Sequence, residues 1–196
     1  MQRAFLIPLF CFALIGPANA IDLTPRFITT FADGAAINRP FFVDGEKKYA
    51  ITIDGETEVV ASEGGALFTF AKFPSASMRL RQSPLKADFA FDETYLPRYL
   101  EAAQRLIPGG AKTILVDRSE ADVLRINQWT SYRYTFAYDI GERRARQSVT
   151  FLNIDSKQQI IVEIKSDEAD FDKISARGWD IIRRWHELKA DAAKGN

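Results

Sequence analysis

The chain has 196 residues, with 26 Lys or Arg against 26 Asp or Glu and a formal net charge of zero. That balance argues against nucleic acid or an anionic membrane as partner, because both select for an excess of positive charge. One cysteine and one histidine leave no intrachain disulfide, no thiolate-rich metal site and room for only one histidine-centred catalytic arrangement.

The first twenty residues read as a secretory leader. Arg3 supplies the positive start, Ala4 to Ile15 an apolar run, and Ala18-Asn19-Ala20 a small-residue cleavage site. The apolar run, about a dozen residues, is too short for a membrane-spanning helix, which needs roughly 20. Bulky Phe10 before Cys11 argues against a lipid anchor there. Removal of residues 1–20 leaves no cysteine and 25 basic against 26 acidic residues. The expected product is exported, to the periplasm or the extracellular medium, and held together by its core alone.

Residues 21–48 have an irregular pattern, with Pro25, Pro40 and the turn-like Ala32-Asp33-Gly34, and predict an arm. Its phenylalanines, Phe27, Phe31, Phe41 and Phe42, suit docking on the body. From Tyr49 the alternation becomes strand-like. Strands are predicted around Tyr49 to Ile53, Glu58 to Ser62, Leu67 to Phe73 and Met78 to Arg81, with turns at Asp54-Gly55 and Gly64-Gly65. A helix follows, capped by Asp92, carrying the stripe Tyr99, Leu100, Ala103, Leu106 and Ile107, and ended by Pro108-Gly109-Gly110. Thr113 to Asp117 and Val123 to Asn127 predict further strands. A long hairpin then runs from about Asn127 to Ile154, and a last strand covers Ile160 to Lys165 after a turn at Asp155-Ser156. Phe171, Ile174, Gly178, Ile181, Ile182, Trp185 and Leu188 recur at helical spacing, with Ser166 or Asp167 as cap. Residues 189–196 predict a disordered tail.

In the hairpin's first strand Tyr132, Tyr134, Phe136, Tyr138 and Ile140 share a face, and two amphipathic helices need a surface to cover, so the aromatic stripe is read as core. The opposite sides of the strands carry the functional candidates. Arg133 with Thr135, Glu163 with Lys165, and Arg79 with Arg81 would form one basic-leaning face if their strands are neighbours. Arg143, Arg144 and Arg146 crowd the hairpin tip and predict either a solvated turn that discourages edge aggregation or an exposed basic finger able to meet an acidic partner or an anionic lipid headgroup. His186 is expected near the end of the last helix, where a cation suits the dipole. Asp167, Glu168, Asp170 and Asp172 are read as helix-capping and solvated acids. No G-x-S-x-G, H-E-x-x-H or P-loop pattern occurs, and no cofactor or metal is expected.

The order of these elements, read with Ala102-Ala103-Gln104-Arg105-Leu106-Ile107-Pro108-Gly109-Gly110, Val149-Thr150-Phe151-Leu152 and Ala176-Arg177-Gly178-Trp179-Asp180-Ile181-Ile182-Arg183-Arg184-Trp185, resembles the PsbP-like superfamily. That group includes the extrinsic PsbP proteins of photosystem II and the Ran-binding Mog proteins. The resemblance spans about Tyr49 to Leu188 and implies one α+β domain over residues 49–188. Its fold would be an antiparallel sheet of about six strands packed with two main helices as an α/β/α sandwich. It also implies a non-enzymatic role in binding or stabilising partners, and it carries over no functional residue. The function expected is an exported binding or assembly accessory for an envelope protein. The alternative is a carrier of a small apolar molecule or lipid in a cavity between helices and sheet.

Overall fold

The computed structural model describes residues 20–32, 35–85, 90–122, 129–154 and 158–188. Outside them lie the leader apart from Ala20, the strand expected at Val123 to Asn127, the turn at Asp155-Ser156 and the tail. No helix among the described residues is long and apolar enough to cross a membrane.

Strands β1 (Asp22–Ala32), β2 (Ala35–Asp44) and β3 (Lys47–Ala50) come first, then β4 (Thr57–Ser62), β5 (Gly65–Phe70) and β6 (Phe73–Gln82). Helix α1 (Leu96–Gln104) precedes β7 (Lys112–Ala121), β8 (Thr130–Ile140), β9 (Arg143–Asn153) and β10 (Gln159–Asp167). Helix α2 (Phe171–Arg183) follows a short 3-10 turn, and β11 (His186–Glu187) ends the described chain. The strands form an antiparallel seven-stranded sheet, β4-β5-β6-β10-β9-β8-β7, and a four-stranded one, β1-β2-β3-β11. The fold is α+β with antiparallel sheets and two helices, as expected, but in two sheets and not one of six strands.

The large sheet is covered on both sides by different material. On one face, Tyr134, Phe136, Tyr138, Val149, Phe151 and Ile161 pack with Tyr99 and Ala103 of α1. On the other, Met78, Leu80, Ile160, Val162 and Ile164 pack with Ile174, Trp179 and Ile182 of α2, with Ile21, and with Leu23 and Phe42 of the small sheet. Each such side chain, fully buried, stabilises by about 1.5–3 kcal/mol. The hairpin's aromatic stripe is core, as read. Its two-residue turn places Gly141 at φ 59°, a left-handed conformation that glycine adopts without penalty. Tyr134 donates its hydroxyl to the Leu96 carbonyl at 2.9 Å, and burial raises its pKa.

Four local expectations are corrected. The described part of residues 21–48 is not irregular: β1 and β2 pair antiparallel and lead through a turn into β3, while Asp33 and Gly34 of the expected turn lie outside the described residues. The base of this pair is buried through Ile21, Leu23, Phe41 and Phe42, while Phe27 and Phe31 stand exposed, Phe31 at 79%. A register shift between Asp22 and Arg26 absorbs Pro25, since proline has no ladder donor. Asp92 does not cap α1 directly; its carboxylate accepts the amides of Thr94 and Tyr95 in the preceding turn. Helix α2 stops at Arg183, so His186 lies on β11, opposite Ala50. Trp185 turns inward there and is buried between the two sheets. Ser166 and Asp167 make no side-chain cap: the Ser166 hydroxyl donates to the Asp167 carbonyl, and the Asp167 carboxylate accepts Ser75 Oγ.

Candidate functional site

Cross-strand partners share a face, so the register decides where the sequence candidates point. On β6 and β10 Met78, Leu80, Ile160, Val162 and Ile164 face α2, leaving Arg79, Arg81, Glu163 and Lys165 on the side of α1 together with Ile161, with Glu163 opposite Arg79. On β8 and β9 Tyr134, Phe136, Tyr138, Val149 and Phe151 face α1, and Arg133 and Thr135 point to the α2 side, as does Leu152. The apolar side changes over along part of the β10-β9 pair: Val162 shares the α2 side with polar Thr150, and Glu163 shares the α1 side with apolar Val149. The single basic face expected from the sequence is split in two.

The Arg79 half is the better formed. Helix α1 covers β8 and β9 and then ends, and beyond Leu106 and Pro108 no helix among the described residues covers the sheet face. A cavity of about 230 Å³ opens there, lined by Ser77, Arg79, Arg81, Gln147, Glu163 and Lys165 beside those two residues. Glu163 is 8% exposed. Its Oε1 lies 2.5 Å from Arg81 Nη2, outside hydrogen-bond geometry, and its Oε2 accepts Gln147 Nε2 at 3.3 Å. Gln147 Nε2 also donates to the Leu106 carbonyl, and its Oε1 accepts the Tyr138 hydroxyl, both at 3.1 Å. This chain of polar contacts ties the end of α1 to the sheet. Burial and the charge of Glu163 push the Tyr138 pKa up to about 12. Among the described residues Arg79 and Lys165 have no carboxylate within ion-pair distance.

Burial is the largest influence on Glu163 and raises its pKa above 4.5, against the pull of Arg81, Arg79 and Lys165. The folded protein holds this proton more tightly than the unfolded chain does. Its contribution to stability is full below the unfolded pKa and is lost as pH rises through the folded one. The variant Glu163→Gln, fixed neutral, is expected to gain on the wild type in urea midpoint as pH rises above the ordinary glutamate range. A difference that stays constant, or moves the other way, would contradict that assignment.

The hairpin tip is not a free basic finger. Arg143 lies 3.5 Å from Asp167, Arg144 3.0 Å from Asp139, and Arg146 2.6 Å from Asp117 and 3.6 Å from Glu168. Arg133 is 2.5 Å from Glu120. Arg143 stands on the α1 side, while Arg144 and Arg146 stand on the other. Arg133, Thr135 and Arg146 border a second cavity of about 220 Å³ against Phe171, Ser175 and Trp179 of α2. The Arg146 guanidinium lies 5.8 Å from the Phe171 ring, within cation–π range. Charged and polar side chains make up most of the walls of both cavities between helix and sheet.

The molecule is an antiparallel α+β sandwich with a half-uncovered polar sheet face. No protein-family model matches the chain, and no curated protein does. Solved structures similar to it include cyanobacterial PsbP from Synechocystis, at 14% identity and TM-score 0.45, covering 92% of this chain and 99% of that one. LpqN of Mycobacterium tuberculosis, described as involved in cell envelope biogenesis, is 6% identical with TM-score 0.45, over 84% of this chain and 92% of its own. A Pseudomonas aeruginosa protein of unknown function is 11% identical with TM-score 0.40, over 80% and 94%. PsbP, the superfamily the sequence resembles, is thus among the similar solved structures.

Proposed function

We propose that this protein is an exported, non-enzymatic binding module that serves as an assembly accessory for a protein of the cell envelope. It holds that partner through the half of the large sheet that α1 leaves uncovered. The observation that carries this reading is the pair Arg79 and Lys165, two cations on a rigid sheet with no carboxylate at ion-pair distance among the described residues. Arg81, by contrast, is neutralised by Glu163. Acidic side chains on the partner would supply the missing counter-charges, and electrostatic complementarity of this kind sets register and association rate. Export is read from the leader-like residues 1–20.

The test is crosslinking capture by the protein from residue 21 onward, in envelope extract of its source, beside an Arg79→Ala/Lys165→Ala variant shown to melt like the wild type. One stoichiometric partner is expected, with binding weakened about tenfold in the variant, equivalent to about 1.4 kcal/mol, and weakened further by salt. Capture unchanged in the variant would overturn the proposed surface.

A further inference from the structure

Three aromatic residues far apart in the chain meet where the two sheets join. Tyr49 comes from β3, Trp129 from the entry to β8, and Trp185 from the link between α2 and β11. Pairing of β11 with β3, reinforced by the Leu188 amide donating to the Lys48 carbonyl at 2.7 Å, draws the chain end across this junction. Trp185 is therefore buried, with Phe42 at 5.3 Å, Trp129 at 6.0 Å and 87°, and Tyr49 at 6.2 Å. Tyr49 and Trp129 are only half-buried, and with Trp185 they border an open cavity of about 830 Å³.

The rim of this cavity is acidic. Asp44, Glu46 and Glu187 border it against two basic residues, the exposed His186 and Lys47, the latter 3.7 Å from Glu187. Asp44 accepts Gln158 Nε2 at 3.2 and 3.3 Å and is held in place. Aromatic faces carry negative potential, and the carboxylates add to it, so both components favour a cation. They favour a particular kind. A small, strongly hydrated ion gains little from a ring face, whereas a bulky alkylated ammonium sheds its water readily and sits well against tryptophan. The volume falls within the ordinary range for small-molecule sites, about 300–1,000 Å³.

We propose that this cavity binds an organic ammonium ion of the choline type, with Trp129 and Tyr49 against the alkylated nitrogen and Asp44 and Glu46 supplying the opposing charge. The site is distinct from the Arg79 face and has the opposite charge preference.

Calorimetric titration of the protein with tetramethylammonium and choline chloride, against sodium chloride at equal ionic strength, tests this. Saturable binding of both ammonium ions is expected. The uncharged isostere 3,3-dimethylbutan-1-ol is expected to bind at least about tenfold more weakly. Phosphocholine, the form found in a lipid headgroup, brings a phosphate to the acidic rim and is expected to bind less tightly than choline. Glu46→Gln, at an exposed position, should weaken choline binding several-fold without altering the melting curve, and Trp129→Leu should abolish it. No saturation with either ammonium, equal binding of the uncharged isostere, tighter binding of phosphocholine, or full binding by Glu46→Gln would each overturn the proposal.

Discussion

Gly65→Ala is expected to lower stability by about 3 kcal/mol or more, at the upper end of what overpacking costs. Gly65 opens β5 opposite Arg81 of β6. A methyl group there would overlap the Leu80 carbonyl oxygen and stand 2.9 Å from the Leu80 carbonyl carbon and 3.1 Å from Arg81 Cα. All three are backbone atoms inside a seven-stranded sheet, so no rotamer change relieves the clash. The two strands must separate at the residue whose guanidinium neutralises Glu163. With a total of only about 5–15 kcal/mol available to a typical domain, the variant should be marginal at best. Urea unfolding decides the matter: a loss below about 1 kcal/mol would show that β5 and β6 are less tightly apposed than described.

Trp185→Ala is expected to cost about 3–5 kcal/mol, the range for removing a large buried aromatic. Its ring fills the junction between the sheets and touches Phe42 of the small one. Removing it opens a void that Tyr49 and Trp129 cannot fill without leaving their own positions. The adjacent His186→Ala makes the control. That side chain is exposed, and its Nδ1 lies 2.8 Å from the Arg184 carbonyl, so its loss should fall within about 0.5 kcal/mol. Equal destabilisation by the two variants in parallel urea curves would refute the wedge role of Trp185.

Local alternation was enough to find β4 to β6, the β8-β9 hairpin and the apolar stripe of α2, because period and turn residues are properties of short stretches. What lay beyond it depended on pairing. Phe41 and Phe42 are adjacent, so they show no period 2, and only the β2-β3 register reveals β2 as an inner strand. Trp185 and Leu188 keep helical spacing after the helix has ended, since an inward-turning strand entry also buries apolar residues. Arg79, Arg81 and Arg133 lie opposite the apolar side of their strands, whereas Arg143 shares the α1 side with Val149 and Phe151. Whether those sides coincide was not legible: Val149 and Val162 are equally apolar, yet they face opposite helices. The aromatic cavity escaped for the same reason, its three rings being brought together only when β11 meets β3. A half-exposed tryptophan and a carboxylate-rich turn at Asp44-Gly45-Glu46 were the available signals, and neither points to the other.

The large sheet has its seam in the middle. Ser77 to Gln82 of β6 lie against Lys165 to Ile160 of β10, and everything from α1 to β9 is threaded between them in sequence. The small sheet closes the same way, with His186 against Ala50. Joining such distant segments carries a loop-closure cost before any contact offsets it, which places topologies of this kind among those that fold in milliseconds to seconds. The β4-β5-β6 meander and the β8-β9 hairpin are local and can form early, but neither has its helix or its neighbour until the chain is nearly whole. A polypeptide emerging from a ribosome, or threaded through a pore, therefore has no central seam until residue 165 has arrived and no closed second sheet until residue 187.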